Sequence, residues 1–272
     1  MKIALVGLGR TGKIVAEYLW QKKVLNMVLC RPESSKAHKD LGEILNCKDT
    51  GILVETSDHL ERKLFQNQPD VLIDFSSSNF LKDNIHALAK SGTNVVTAVT
   101  GYEPAEVEKI RNFAEKGNIG VIMAPNITYG VNVLMLMAEI VAELMSDYDF
   151  EVLEEHHKHK QDRPSGTAKK IADKIRVKLM NNQEVPAQAV RAGGIIGKHK
   201  VLVCGEFDKI EISHESFSRV AFAQGAYKAA QFITGKTGFY EMTDIFEQER
   251  QERQKQVSAS YDEKHAEELD LA

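Results

Sequence analysis

The residues from Glu154 to Ala168, EEHHKHKQDRPSGTA, crowd three histidines, His156, His157 and His159, against Lys158 and Lys160. Protonated imidazoles and ammonium groups held this close repel one another, which draws their pKa values toward neutrality, where a proton is readily surrendered. Pro164, Ser165, Gly166 and Thr167 then precede an amphipathic run from Ala168 to Leu179, so their backbone N–H groups are expected to open a helix and face an anion such as a carboxylate. A basic surface loop is the plainer explanation for His and Lys together. The flanking segments argue against it: the β-forming run Asp149 to Glu154 enters the cluster and a helix leaves it, which sets the basic groups at a strand end, where α/β folds keep their sites. A metal centre on the three histidines is disfavoured, because the two lysines would face the cation and adjacent histidines in an extended chain point to opposite faces.

A second chemical pattern stands at the N-terminus, where Gly7-Leu8-Gly9-Arg10-Thr11-Gly12 follows the apolar run Lys2 to Val6 and precedes the helical spacing of Ile14, Val15, Tyr18 and Leu19. G-x-G-x-x-G between a strand and a helix is the dinucleotide-binding fingerprint: Gly7 permits the tight turn, Gly9 lets backbone approach a pyrophosphate, and Gly12 lets the helix pack closely. Where an NAD site offers a carboxylate to the ribose 2′-hydroxyl, this chain has Cys30 and Arg31. Arg31 and Arg10 suit a 2′-phosphate, so NADPH is expected as the preferred cofactor, with NADH possible and Glu33 the one nearby acid able to reverse the preference. Phe75 and Ser76, Ala98 and Thr100, and Ala124 and Asn126 end later strands and are expected to line the same cofactor; singly, such residues are ordinary turn formers.

The elements that must position these groups alternate regularly at first. Strands are expected at Lys2–Val6, Met27–Cys30, Ile52–Glu55, Val71–Phe75, Asn94–Ala98 and Ile119–Ala124, with helices at Lys13–Lys22, Ala37–Leu45, His59–Phe65, Phe80–Lys90 and Pro104–Lys116. This predicts a parallel sheet covered by helices on both faces. Beyond Ala124 come a long helix, the strand into the basic cluster, another helix, and then three strands, Gln188–Arg191, His199–Cys204 and Lys209–His214, with no helix between them. These predict a mixed sheet. The fold class is therefore α/β: an N-terminal Rossmann-like parallel-sheet domain, residues 1–126, and a C-terminal α+β domain with a mixed sheet, residues 127–237, closed by a helix from Arg219 to Thr234. Residues 238–272 return toward the first domain and end in a polar extension, from Gln248, expected to fray and to serve solvation rather than a partner.

Composition sets the outer limits. At 272 residues with 43% hydrophobic content the chain can build two cores, and its net charge of -4 gives no global field for nucleic acid. The most apolar long stretch, Val131 to Met145, contains Asn132, Glu139 and Glu143 and is too short to cross a bilayer. Cys30, Cys47 and Cys204 are odd in number and widely spaced, which points to a reducing, cytoplasmic setting.

The chain resembles the 4-hydroxy-tetrahydrodipicolinate reductase (dihydrodipicolinate reductase) family along nearly its whole length. The likeness is carried by His156-His157-Lys158-His159-Lys160 with Asp162 and Pro164-Ser165-Gly166-Thr167-Ala168. It is supported by Val71 to Ser76, Thr100-Gly101-Tyr102, Ala124-Pro125-Asn126, Gly130-Val131-Asn132, Arg191-Ala192-Gly193 with Gly197 and His199, and the segment from His214 through Ala226. The glycine turn is one residue shorter than the family's common form, Ala98 replaces a frequent Gly, and Arg163 a frequent Ala. The resemblance implies hydride transfer from a nicotinamide to a small dicarboxylate in lysine and diaminopimelate biosynthesis. His156 and Lys160 would then be the catalytic proton-delivery pair, with His157, Ser165, Gly166 and Thr167 binding substrate. It also implies a homotetramer, and closure about hinges near 126–130 and 235–238. Two rivals share the glycine turn: an imine or amino-acid reductase of the diaminopimelate dehydrogenase type, and a nucleotide-sensing protein that keeps the fold without turnover.

Overall fold

A computed structural model describes residues 1–179 and 183–270, with backbone alone beyond residue 256. The last two residues of the polar extension lie outside the described residues. The first part of the chain alternates as β1 (Ile3–Val6), α1 (Arg10–Gln21), β2 (Leu25–Cys30), α2 (Leu41–Leu45), β3 (Val54–Thr56), α3 (Leu60–Asn67), β4 (Val71–Asp74), α4 (Ser78–Ser91), β5 (Asn94–Thr97), α5 (Pro104–Lys116) and β6 (Gly120–Met123). These strands are short and apolar, and every residue of β1, β4, β5 and β6 is buried, the pattern of strands covered on both faces. They form a wholly parallel seven-stranded sheet in the order β11-β6-β5-β4-β1-β2-β3, where β11 (Gly238–Glu241) is added from the end of the chain. The winding reverses between β1 and β4, so the crevice for a ligand opens at their C-terminal ends.

The second sheet has four strands in the order β10-β9-β7-β8: β7 (Asp149–His156), β8 (Ala187–Arg191), β9 (Lys198–Cys204) and β10 (Lys209–Glu215). It is mixed, as expected, with β8 parallel to β7 and the other pairs antiparallel. Helices α6 (Tyr129–Leu144) and α7 (Gly166–Lys178) cover one face, and Val131, Leu134, Ile171 and Ile175 meet Phe150, Val152, Val201 and Val203 there. Strand periodicity puts Glu154 and His156 in the same buried row as Phe150 and Val152. His199 continues the row of Val201 and Val203 on β9.

Several expectations change. Helix α1 begins at Arg10, not Lys13, so Gly12 sits inside it and Gly9 is its N-cap. Helix α2 begins at Leu41, not near Ala37, because Asp40 caps it by accepting from the Gly42 N–H at 2.6 Å. Strand β3 is displaced toward Thr56 from the expected Ile52–Glu55. The helix read as closing the second domain, α8 (Val220–Ile233), instead lays Ala223, Ala226, Ala229 and Ala230 into the first sheet's core beside Val15 and Leu19 of α1. Small residues make that approach close: a Cβ on Gly225 would lie 1.8 Å from the Ile127 carbonyl oxygen. The return toward the first domain from residue 238 takes the form of a strand, β11, added to the edge of the first sheet beside β6. The polar extension runs on as helix α9 (Met242–Asp270), as its many good helix formers allow. Glu249 anchors it, accepting from Tyr129 Oη at 2.6 Å and pairing with Lys228 at 2.7 Å.

Candidate active site

Three neighbouring positions on the second sheet, Glu154, His156 and Arg191, build the centre with Ser165 at the start of α7. Glu154 is fully buried, and Arg191 grips it with two hydrogen bonds, Nη1 to Oε2 at 2.8 Å and Nη2 to Oε1 at 2.6 Å. The Ser165 N–H donates to the same carboxylate at 2.9 Å, and His156 Nδ1 bonds its Oε2. Burial raises the Glu154 pKa, but Arg191, His156 and the Ser165 amide outweigh it and hold the carboxylate below its ordinary range. The charge is thus kept, paired and hydrogen-bonded, which is the condition for tolerating it in a core. His156 goes the other way: burial lowers its pKa, Glu154 opposes, and Lys160 and Arg191 add to the fall. A neutral His156 that donates through Nδ1 leaves Nε2 as a lone pair.

The loop after β7 is tied to this network. Arg191 Nη2 also donates to the Asp162 carbonyl at 2.5 Å. The Asp162 carboxylate takes the Lys160 ammonium at 2.9 Å and the Gly166 N–H at 3.3 Å. Ser165 is buried, and its Oγ caps α7 by accepting from the Ala168 N–H at 3.2 Å. Its amide and hydroxyl therefore build the helix start, while Gly166 is exposed at the mouth. Thr167 Oγ1 donates to Asn126 Oδ1 at 2.5 Å, joining α7 to the end of β6.

A cavity of about 880 Å³ brings the two chemical patterns together. Arg10, Thr11, Thr100 and Asn126 line it from the first sheet, and His156, His157, Lys160, Gly166 and Thr167 from the second. Gly7, Gly9, Gly12, Arg31, Phe75, Ser76, Ala98, Ala124 and Ser165 are not in its lining. Adjacent His156 and His157 do diverge, one buried and one half-buried, and burial with Arg10 and Arg219 nearby lowers the His157 pKa. Among the described residues no cluster of His, Cys, Asp or Glu has metal-binding geometry.

The glycine turn has the shape a dinucleotide needs. Gly7 takes φ +97° and a Cβ there would lie 2.5 Å from the Phe75 carbonyl oxygen; one on Gly12 would lie 1.9 Å from the Gly7 oxygen. Beside Gly9 there is open space, and α1 starts with no side-chain cap and no acidic residue in its first turn. Free N–H groups at an uncapped helix start suit a pyrophosphate. Arg31 is exposed just past β2, and Lys36 donates to the Leu8 carbonyl at 2.5 Å, a second cation over the turn that no sequence signal marked. Ser76 turns its hydroxyl and amide onto Asp74, at 2.5 and 2.8 Å. The amides of Ala98 and Ala124 are spent on neighbouring strands.

Sequence reasoning missed Glu154, Arg191, Asp162 and His199 as working parts of the site. For Glu154 and His199 a signal existed: each is a polar residue in the apolar phase of a strand's alternation. Arg191 and Asp162 stood among the motif residues of the resemblance with no role attached, because only tertiary pairing brings them to Glu154 and Lys160.

Comparison with known proteins agrees across the chain. Residues 1–127 match the profile of the dihydrodipicolinate reductase N-terminus and residues 130–246 that of its C-terminus. A 4-hydroxy-tetrahydrodipicolinate reductase of Ralstonia pickettii is 34% identical over 267 residues, covering 90% of this chain and 99% of the relative. That of Methanocaldococcus jannaschii is 30% identical over 265 residues, covering 90% and 97%. A solved structure, dipicolinate-bound dihydrodipicolinate reductase from Paenisporosarcina sp. TG-14, superposes with a TM-score of 0.73 at 23% identity, covering 89% of this chain and 97% of that one.

Proposed function

The chain belongs to the dihydrodipicolinate reductase family, NAD(P)H-dependent oxidoreductases of lysine and diaminopimelate biosynthesis, and on that premise we propose how its residues divide the reaction. The net reaction takes 4-hydroxy-tetrahydrodipicolinate, one hydride and one proton to tetrahydrodipicolinate and water: the 4-hydroxyl leaves as water to give the conjugated dihydrodipicolinate, which is the species reduced. When bound, reduced nicotinamide supplies the hydride. The first sheet with its glycine turn holds the cofactor, and residues from α6 through β10 hold the substrate. One substrate carboxylate is gripped by the Lys160 ammonium and the backbone of Gly166 and Thr167, replacing the Asp162 carboxylate there. His157, with Arg219 beside it, takes the second. Reduction of a conjugated C=C–C=N system leaves negative charge on carbon and nitrogen, and the Lys160 ammonium both stabilises that charge and delivers the proton. His156, fixed by Glu154 with its Nε2 lone pair free, positions the Lys160 ammonium rather than donating a proton itself.

Support comes first from the single cavity that joins Arg10 and Thr11 of the glycine turn to His156, Lys160 and Gly166. The Paenisporosarcina relative is dipicolinate-bound, which supports a small diacid as the kind of substrate. NADPH is the preferred cofactor in this proposal: Arg31 and Lys36 stand at the end of β2 with no carboxylate but the exposed Glu33, which makes no ion pair among the described residues. A homotetramer formed through the outer face of the second sheet, where Leu153, Leu202 and Cys204 stay half-exposed, belongs to the same proposal. Unpaired Cys30, Cys47 and Cys204 suit a cytoplasmic setting.

One assay tests the division of labour. Following NAD(P)H absorbance with freshly generated substrate, Lys160→Ala lowers kcat by about 100-fold to 10,000-fold, the usual worth of a general acid, and His156→Ala by less. The wild type favours NADPH over NADH in kcat/KM. A near-wild-type rate for Lys160→Ala contradicts the proton assignment, NADH favoured by about tenfold, about 1.4 kcal/mol, contradicts the cofactor preference, and no turnover at all would favour a nucleotide sensor.

A further inference from the structure

His199 differs from the other histidines of the site in leaving both ring nitrogens buried and unpaired, where His157 and His214 each leave only Nδ1 so. It is 5% exposed, lines the cavity, and neither ring nitrogen has a hydrogen-bond partner among the described residues. Its strand neighbours leave it no alternative: it lies opposite Glu154 on β7 and His214 on β10, yet Glu154 is already taken by Arg191, Ser165 and His156. The His156 ring packs edge-on against it, 5.2 Å between centroids. A buried donor or acceptor left unpaired costs about 1–3 kcal/mol, so two on one ring that faces a cavity mark a group kept for a ligand.

The kind of ligand atom follows from charge. Burial, with His156 and His214 beside it, lowers the His199 pKa to about 3, so the ring is neutral at any working pH. Carboxylates are better served by the neighbouring cations, Lys160, Arg10 and Arg219, and by the start of α7. Beyond its carboxylates, pyridine-2,6-dicarboxylate has one polar atom, the ring nitrogen between them; the substrate adds a 4-hydroxyl, which lies across the ring from that nitrogen and from the carboxylates flanking it. Resting on the diacid reading above, we propose that His199 donates a hydrogen bond from its neutral imidazole to the substrate's ring nitrogen. It is then a catalytic residue in the strict sense, because negative charge gathers on that nitrogen during reduction and a fixed donor opposes it. A neutral imidazole suits this electrophilic role, since it needs no counter-ion and keeps its proton.

Two probes that differ only at the proposed contact test it without turnover. Pyridine-2,6-dicarboxylate has the nitrogen, and benzene-1,3-dicarboxylate has the same carboxylates with a C–H in its place. Calorimetric titration of the wild type is expected to favour the pyridine by about tenfold or more, and His199→Leu to bind both alike, while His199→Gln, which keeps an N–H donor, recovers part of the preference. In the same proteins Tm of His199→Leu equals or exceeds the wild type, because the substitution removes unpaired polar atoms from a buried place. The kcat of His199→Leu falls about 100-fold to 1,000-fold. Retention of the wild-type preference by both variants, with Tm lowered, is the result for a merely structural histidine and overturns the assignment. Failure of the wild type to bind either diacid is a separate result, and removes the diacid reading together with this contact.

Discussion

At the scale of residues, the site works by setting neighbouring ionisable groups to different states. Glu154 is buried and charged, His156 and His199 are buried and neutral, and Lys160 pairs with Asp162 at 2.9 Å. Asp74 shows what burial does without a cation. It is fully buried at the end of β4, accepts from Ser76 and from Thr97 Oγ1 at 3.3 Å, and its pKa is raised to about 6. Its protonated form binds more protons in the folded chain than in the unfolded one between about pH 4 and pH 6. The stability it contributes is therefore full below the unfolded pKa and is lost as pH rises through about 6. Asp74→Asn, which stays neutral, should gain stability over the wild type as pH rises from 4 to 7, by about 3 kcal/mol at most. Denaturant unfolding at both pH values reads this directly, and a difference independent of pH would mean that Asp74 is ionised throughout. The basic cluster that brings His156 and Lys160 to one cavity was legible in the sequence as a crowding of histidines and lysines at a strand end, while the pairing of those two came only from the family resemblance. Asp74 was not, because a lone Asp at a strand end looks like any turn former.

At the scale of elements, the two glycine-dependent contacts separate folding from binding. A methyl on Gly12 would press on the Gly7 carbonyl, whereas one on Gly9 meets nothing of the protein. Gly12→Ala is expected to destabilise by about 1–3 kcal/mol and to lose dinucleotide affinity as α1 moves off the turn. Gly9→Ala is expected to leave Tm unchanged and to weaken the dinucleotide alone, by standing where a pyrophosphate must approach. Thermal melts with and without NADPH distinguish them, and equal affinity in Gly9→Ala would show that the dinucleotide does not cross that position. Strands β1, β4, β5 and β6 were readable because strands buried on both faces are nearly continuous apolar runs. Strand β11 was not: its four residues are all half-buried at the sheet edge and show neither a run nor an alternation. Nor could the sequence say which core α8 joins. Its Ala- and Gly-rich face fits any close neighbour, and only the fit of Gly225 against Ile127 settles it.

At the scale of the whole molecule, the chain crosses between its two sheets after β6 and returns through α8 and β11, and the cavity lies between the crossings. The Thr167 to Asn126 hydrogen bond already spans that junction, linking the start of α7 to the first sheet. Closure that brings the glycine turn toward Lys160 would strengthen each ionic contact by excluding water. Among the described residues no helix is long and apolar enough to cross a membrane. The central claim is that the basic loop and the start of α7 clamp a diacid against the nicotinamide face of the first lobe. A crystal structure of the ternary complex with NADP⁺ and pyridine-2,6-dicarboxylate tests it most directly. One carboxylate is expected on Lys160 Nζ and the Gly166 and Thr167 amides, with Asp162 displaced from both and the nicotinamide stacked over the diacid ring. A diacid bound away from Lys160, with the Asp162 contacts intact and the two lobes apart, would contradict it.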